Sequence, residues 1–396
     1  MGFQFFISLS LLTVSFYFMR QLHVMMTADP GFRTKGLLTA VIYPPSNRDW
    51  WSMEEFKAMQ EKQKSYSKVV KQRLQTLPYL QGITVDAGIF NTDANVKLAN
   101  GDNIDIMYIT GEAARIYGLT LVEGELPSDT LSMHNYVCVA NESAIRALGI
   151  KNIATDQVQF AERIWWGNGV DRNYNPPYRI AGIVRDFNNG RQSEPVKPLL
   201  LMFENMPKDY DIFNAHQMKG RNYLLDIAEG HEDDIIRELK DIEKELFGTT
   251  ELHYQWVEDK RLGLYKEDLR TARIFVTFSL LAIVVTCLGV LGLMMFDVRR
   301  RFREIALRKV NGATFRDIAL LLSRRYLIIF GVAAVASLPV SLLVIHRLMA
   351  TYTIRTSFAW WIPLVSIALI LTLCSLTLWY QVWKATRIKP YKVLKE

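Results

Sequence analysis

Few side chains in this 396-residue chain are spaced for catalysis. Two carboxylate pairs, Asp102 with Asp105 and Glu123 with Glu125, have the residue types of a general acid and a general base. No nucleophile accompanies either pair, and both read as surface acids. His231, Glu232, Asp233 and Asp234 offer metal-ligand atoms, but they open a stretch of helical periodicity, where acids complement the positive end of the helix dipole. They read as a solvated helix start. The three cysteines, Cys138, Cys287 and Cys374, make no CxxC or Cys/His spacing, and the last two lie inside apolar runs. Cys138 has no partner for a disulfide in its own segment, so that segment must stand on its hydrophobic core. There is no GxxxxGK[ST] loop, GxSxG elbow or HExxH. The expectation is a chain that is not an enzyme and holds no cofactor or metal. If ATP drives it, another chain hydrolyses the ATP.

The spacing that does point to a function lies in residues 297–325. Glu304 and Arg308 stand at i,i+4 and can pair on one helical face. Ile305, Leu307 and Val310 give the same short helix an apolar flank. Gly312 can stop it at the position where a left-handed residue is needed. Thr314 with Asp317 three residues later writes a capping box for a new helix. A short basic helix, a break and a capped helix are what a docking element for another protein requires. Nine Lys and Arg in this loop would by themselves report only orientation.

The elements that position this loop are membrane spans. A span needs about 20 mostly apolar residues. Residues 274–296 contain no charge, and 326–345 and 360–382 are two further candidates, the last with Trp360, Trp361, Trp379, Tyr380 and Trp383 at its ends like interfacial belts. The run 3–18 is short and closes at Arg20. It lacks the marks of a signal peptide and reads as an uncleaved first helix. Residues 1–268 carry 29 Lys and Arg against 36 Asp and Glu, whereas the rest carry 18 against 4. The basic residues flank apolar runs, which excludes a nucleic-acid surface and places the 297–325 loop and the C-terminus in the cytoplasm. Residues 20–270 then lie outside.

That outer segment is long enough for one or two cores. Strands are expected at 37–43, 83–90, 222–227 and 252–257, with helices over 52–77 and 232–247. These two strand–helix–strand units bracket an insertion, giving a split α+β sheet plus a mostly β lobe over about 110–215, with strands such as 136–139 and 178–184. The pairs Trp50–Trp51 and Trp165–Trp166 fit contact with lipid or apolar cargo, plain packing, or a membrane-facing rim.

At the loop the sequence resembles a known family. "REIALRKVNGAT" (303–314) is similar to the signature of FtsX/MacB-type permeases of ABC transporters. "YKEDLRTARIFVTFSLLAIVVTCLGVLGLMMF" (265–296) resembles the family's stalk entering its second span. "NESAIRALGI" (141–150) and "YRIAGIVRDF" (178–187) resemble blocks of its periplasmic core domain, and "KATRIKPYKVLKE" (384–396) its tail. The resemblance is to the second module of tandem, eight-span permeases of Bacteroides-like bacteria, so the chain would be a half-length permease or a piece of a longer one.

The resemblance implies an α-helical membrane protein with four spans and an α+β extracytoplasmic domain. Residues 1–19 form the first span, 20–271 a MacB-like periplasmic core domain with its stalk, and 272–396 an FtsX-like permease domain. It implies a multi-pass protein of the bacterial inner membrane whose partners are a cytoplasmic ABC ATPase, a second or homologous permease copy, membrane lipid, and a periplasmic adaptor or outer-membrane component. Carried over by position, Glu304, Ile305, Ala306, Leu307, Arg308, Lys309, Gly312 and Ala313 form the coupling helix and its turn, and Tyr265, Leu269 and Arg273 belong to the stalk. Export, efflux and mechanotransmission all fit. Two readings stand beside these: a membrane-anchored regulator that activates a periplasmic hydrolase, and a sensor of envelope signals.

Overall fold

The computed structural model describes residues 1–42, 68–86, 88–90, 92, 94–126, 136–161, 177–203, 222–248, 251–350, 352–353, 356–357 and 359–386. The pairs Trp50–Trp51 and Trp165–Trp166, Tyr43, most of the helix expected over 52–77 and the end of the C-terminal tail lie outside these. The chain divides into two compact units, Met1–Ala28 with Tyr265–Glu396, and Asp29–Leu264.

In the first unit, four helices are long and apolar enough to cross a membrane. They are α1 (Gly2–Thr27), α7 (Lys266–Arg300), α9 (Phe315–Met349) and α10 (Trp361–Thr386). The short α8 (Phe302–Val310) stands between α7 and α9. The chain is a membrane protein. Phe278, Leu280, Leu281, Leu288 and Phe296 of α7 are all exposed. A row of that kind is stable only where the surrounding solvent is itself apolar. The interior is built from Phe5 and Leu9 of α1, Val290 and Met294 of α7, Phe330 and Ala333 of α9, and Ile370 and Cys374 of α10. Each helix outruns its apolar core. α1 continues nine residues past Phe18, because Arg20 and Gln21 find backbone partners and do not break it. Pro339 sits inside α9, where neighbouring helices can re-satisfy the freed carbonyl.

The second unit holds two sheets. The first has the order β11 (His253–Trp256), β1 (Leu37–Val41), β10 (Asn222–Ile227), β2 (Leu80–Asp86), with every pair antiparallel. Residues 68–75 form α2, and Glu232–Phe247 form α5. Strand alternation sorts the side chains. Leu38, Ala40, Tyr223 and Leu225 pack against Val70 and Leu74 of α2 and Ile235, Leu239 and Ile242 of α5. Leu37 and Leu224 point to the other face, into a core they share with Met107, Ile109, Val139, Val184 and Leu201 of the second sheet. The two sheets of this unit are therefore welded by one hydrophobic core.

The second sheet runs β3 (Ala94–Lys97), β4 (Asn103–Ile109), β9 (Leu199–Phe203), β6 (Val137–Asn141), β8 (Tyr178–Val184), β5 (Leu121–Gly124), with β7 (Gln157–Val158) also on β8. It starts earlier than the 110–215 lobe expected from sequence. It is also mixed, because β4–β9 and β6–β8 pair in parallel. Parallel neighbours need crossovers. The chain supplies α3 (Gly111–Ile116) and α4 (Glu142–Leu148), so the lobe is not simply β. Val257–Gly263 form α6, the last element before the chain reaches the membrane unit.

Candidate functional site

The 297–325 region is built from local signals. α7 ends at Arg300, Arg301 makes the turn, and α8 follows at once. Gly312 takes φ +87°, the left-handed conformation that a side chain disfavours. This lets the Ala313 N–H donate to the Arg308 carbonyl at 2.9 Å and the Asn311 N–H to the Leu307 carbonyl at 3.0 Å. Those bonds satisfy helix-end carbonyls that otherwise have no partner. The capping box then starts α9: Asp317 accepts from the Thr314 N–H at 2.9 Å, and its own N–H donates to the Thr314 hydroxyl at 3.4 Å. Arg308 Nη2 donates to Glu304 Oε1 at 2.9 Å on the exposed face of α8.

The apolar flank expected of α8 divides in two. Ile305 is 5 % exposed and joins the core made by Met294, Ile318, Leu322 and Tyr326. Leu307 is 60 % exposed. Two residues along an α-helix turn through about 200°, so these two cannot share a face. Leu307 stands among Arg303, Glu304 and Arg308 as an apolar knob in a charged surface, while Ile305 pins the helix from beneath. Ala306 and Lys309 lie on α8, and Gly312 and Ala313 in the turn after it.

The stalk residues stand at the other end of α7. Tyr265 is its N-cap residue, Leu269 is half-buried, and Arg273 is exposed. The structure does not bring them near α8. One unbroken helix of 35 residues, on the order of 52 Å at 1.5 Å per residue, joins the two groups.

Sequence reasoning missed what holds α7. Along its length it packs antiparallel on α1. Ser8 hydrogen-bonds Thr286 at 2.7 Å and Ser15 bonds Ser279 at 2.8 Å. Phe18 packs on Phe275, and the Tyr265 hydroxyl donates to the Met25 carbonyl at 3.4 Å. Gly289 leaves room for Gln4, whose side-chain oxygen would lie 2.6 Å from a Cβ there. The sequence signal was available. Ser8 and Ser15, like Ser279 and Thr286, are seven apart in mostly apolar runs, the repeat of two helices packed along a seam. A second missed contact ties the other end: the Tyr326 hydroxyl of α9 donates to Asp297 Oδ2 of α7 at 2.7 Å.

In the second unit the chemically suggestive residues serve the fold. Asp186 accepts from the Ser143 N–H and hydroxyl at 2.7 Å each and from Arg146 at 2.6 Å, while its own N–H donates to Glu142 at 3.0 Å. Asn141 Oδ1 caps α4 through the Ala144 N–H at 2.8 Å and takes the Leu199 N–H at 3.0 Å. The blocks 141–150 and 178–187 are thus one interlocked cap across the parallel β6–β8 pair, in which Asp186 is occupied by Ser143 and Arg146. Burial pushes the Cys138 thiol up to about 12, which makes it a packing residue. His231 precedes α5, with Nδ1 2.9 Å from Asp234. Asp102 and Asp105 bond Asn100 and Asn95 on the β3–β4 hairpin, and Glu123 lies on the exposed β5 with Glu125 just beyond it. Among the described residues no three His, Cys, Asp or Glu side chains converge on a metal position.

The unit also ties its own chain ends together. The Thr34 hydroxyl, just before β1, donates to Glu258 of α6, and Arg261 donates to the same carboxylate at 2.7 and 3.1 Å. Arg261, with help from Thr34, holds the Glu258 carboxyl below the usual carboxylate range.

Residues 276–390 match the FtsX-like permease C-terminal family model. Among solved structures, the periplasmic region of MacB from Actinobacillus actinomycetemcomitans is 14 % identical, with 61 % of this chain and 98 % of that one covered and a TM-score of 0.35. A domain of a putative permease protein from Porphyromonas gingivalis is 15 % identical, with 56 % and 90 % covered and a TM-score of 0.34. No curated protein matches the chain.

Proposed function

We propose that this chain, a membrane protein whose residues 276–390 form an FtsX-like permease domain, is the permease subunit of an ABC transporter that converts ATP hydrolysis by a partner ATPase into movement of its own outer domain. The reading rests on α8. It is a short, exposed, self-capped helix pinned by Ile305 and fused through Arg301 to a helix that runs unbroken to Tyr265. A push on α8 has nowhere to dissipate before it reaches the start of α7. Leu307 and the Glu304–Arg308 pair face the ATPase, and the chain itself hydrolyses nothing. Positive-inside charge places α8 in the cytoplasm of a bacterial inner membrane and residues 29–264 in the periplasm. Stalk motion of this kind serves export or mechanotransmission, with two permease copies around two ATPases.

Exchanging the charges, Glu304→Arg with Arg308→Glu, tests this. The helix keeps an i,i+4 pair, so insertion and fold are expected to survive. Association with the ATPase, and mutual stimulation, are expected to fall. Wild-type co-purification and wild-type stimulation by the double variant would show that α8 is not the docking element.

A further inference from the structure

α7 is linked to α8 by the chain, but α1 has no such link. Its attachment at the end away from Met1 is of another kind. Tyr17, Arg20 and Gln21 stand three and four residues apart, on one face of the helix. All three reach the loop between α9 and α10. The Tyr17 hydroxyl donates to the Ala359 carbonyl at 2.6 Å and accepts from the Ala359 N–H at 2.8 Å, taking both backbone groups of a single residue. Gln21 Oε1 accepts from the Thr356 N–H at 3.0 Å, and Arg20 Nη1 donates to the Ser357 carbonyl at 2.9 Å. Tyr17 and Gln21 are buried. Around them Val14, Ile345, Met349, Ala359 and Ile362 close an apolar shell. Four hydrogen bonds onto the backbone of Thr356, Ser357 and Ala359 hold this stretch whatever its side chains. The two Tyr17 bonds are buried, so their loss would leave an unpaired amide and carbonyl at Ala359.

We propose that Tyr17, Arg20 and Gln21 are positioning residues that make the last turns of α1 and the α9–α10 loop move as one body, so that the outer domain is driven through two legs: α7 by its covalent link to α8, and α1 by this clasp. The proposal rests on the coupling function above for its purpose. Its geometry stands without it. α1 runs to Thr27 and the chain enters the outer unit two residues later, at Asp29. Whatever displaces the α9–α10 hairpin is therefore delivered to that chain end by Tyr17 and its neighbours. The hydroxyl is the sensitive atom. Phenylalanine keeps the ring in its apolar shell and loses both bonds to Ala359.

The deciding measurement needs no nucleotide. Full-length wild type, Tyr17→Phe and Gln21→Met are compared in lipid nanodiscs by amide hydrogen exchange. Spin labels at exposed His23 and Ser357 report the distance between α1 and the loop. Exchange at 356–362 is expected to quicken at least tenfold in Tyr17→Phe, and less in Gln21→Met, while α7 keeps wild-type protection. The label distance is expected to be narrow in wild type and broad in the variants. Unchanged exchange and an unchanged distance distribution would overturn the clasp. A second arm adds the partner ATPase and traps the nucleotide. In wild type the 23–357 distance is expected to stay fixed while the labels in Tyr17→Phe separate. A wild-type distance that itself changes on trapping would show that the two elements do not move together. Failure of the ATPase to bind wild type would refute the coupling function and leave the first arm to decide the clasp.

Discussion

The two short connections of the membrane unit are built on opposite plans. The 301–314 connection is self-sufficient. Its helix ends are closed by their own backbone and by Gly312, Thr314 and Asp317, and Arg301, Arg303, Leu307 and Arg308 are left exposed. The 350–360 connection leans on another helix. Thr356, Ser357 and Ala359 give their backbone groups to Tyr17, Arg20 and Gln21. A loop that closes its own hydrogen bonds can meet and leave a partner without unfolding. A loop whose backbone is held by a neighbour must go where that neighbour goes. The first plan suits docking and the second suits transmission.

The contrast can be broken most severely at Leu307. Leu307→Asp is expected to weaken ATPase co-purification at least about tenfold, the loss of an apolar anchor at an interface centre, while thermal stability changes by no more than about 0.5 kcal/mol because the side chain touches little of its own fold. A large drop in stability with normal association would place Leu307 in the core instead. Next comes self-closure. At Gly312 a Cβ meets nothing, so Gly312→Ala costs only the left-handed backbone, about 1–2 kcal/mol. It is expected to appear as faster amide exchange at 308–314 and nowhere in 350–360. Exchange that quickened in both loops would erase the distinction between them. Smallest is Tyr326→Phe, which removes the bond to Asp297 and costs about 1 kcal/mol. It is expected to lower the unfolding temperature slightly, leave ATPase association intact and reduce ATP-driven movement. An unchanged unfolding temperature would mean that the bond carries nothing.

What the sequence made legible was local. Gly312, the Thr314–Asp317 box and the Glu304–Arg308 pair were readable because donor, acceptor and glycine lie within five residues of one another. Helix α7 was readable in part from its uncharged apolar run, as strand β10 and helix α5 were from alternation and amphipathicity. Leu307 was misplaced because three apolar residues in a nine-residue helix were read as one flank when the helical angle separates them. Tyr17 and Gln21 could not be read at all. Their partners lie 335–342 residues away, and from composition alone Arg20 looked like the end of an apolar run. The blocks around Asn141 and Asp186 were noticed separately, but only the parallel β6–β8 pairing makes them a single cap.

The hydroxyl pairs on α1 and α7 have one more consequence. With Ser8 opposite Thr286 and Ser15 opposite Ser279, the two helices are marked like facing scales with the same division of seven residues. Sliding one past the other by a smaller amount parts both pairs. A slide of seven residues, about 10 Å at 1.5 Å per residue, restores only one of the two pairs. The seam therefore works as a vernier with a single reading. Under the proposed coupling, a displacement entering one end of α7 would carry α1 with it and reach the other end without slip between them.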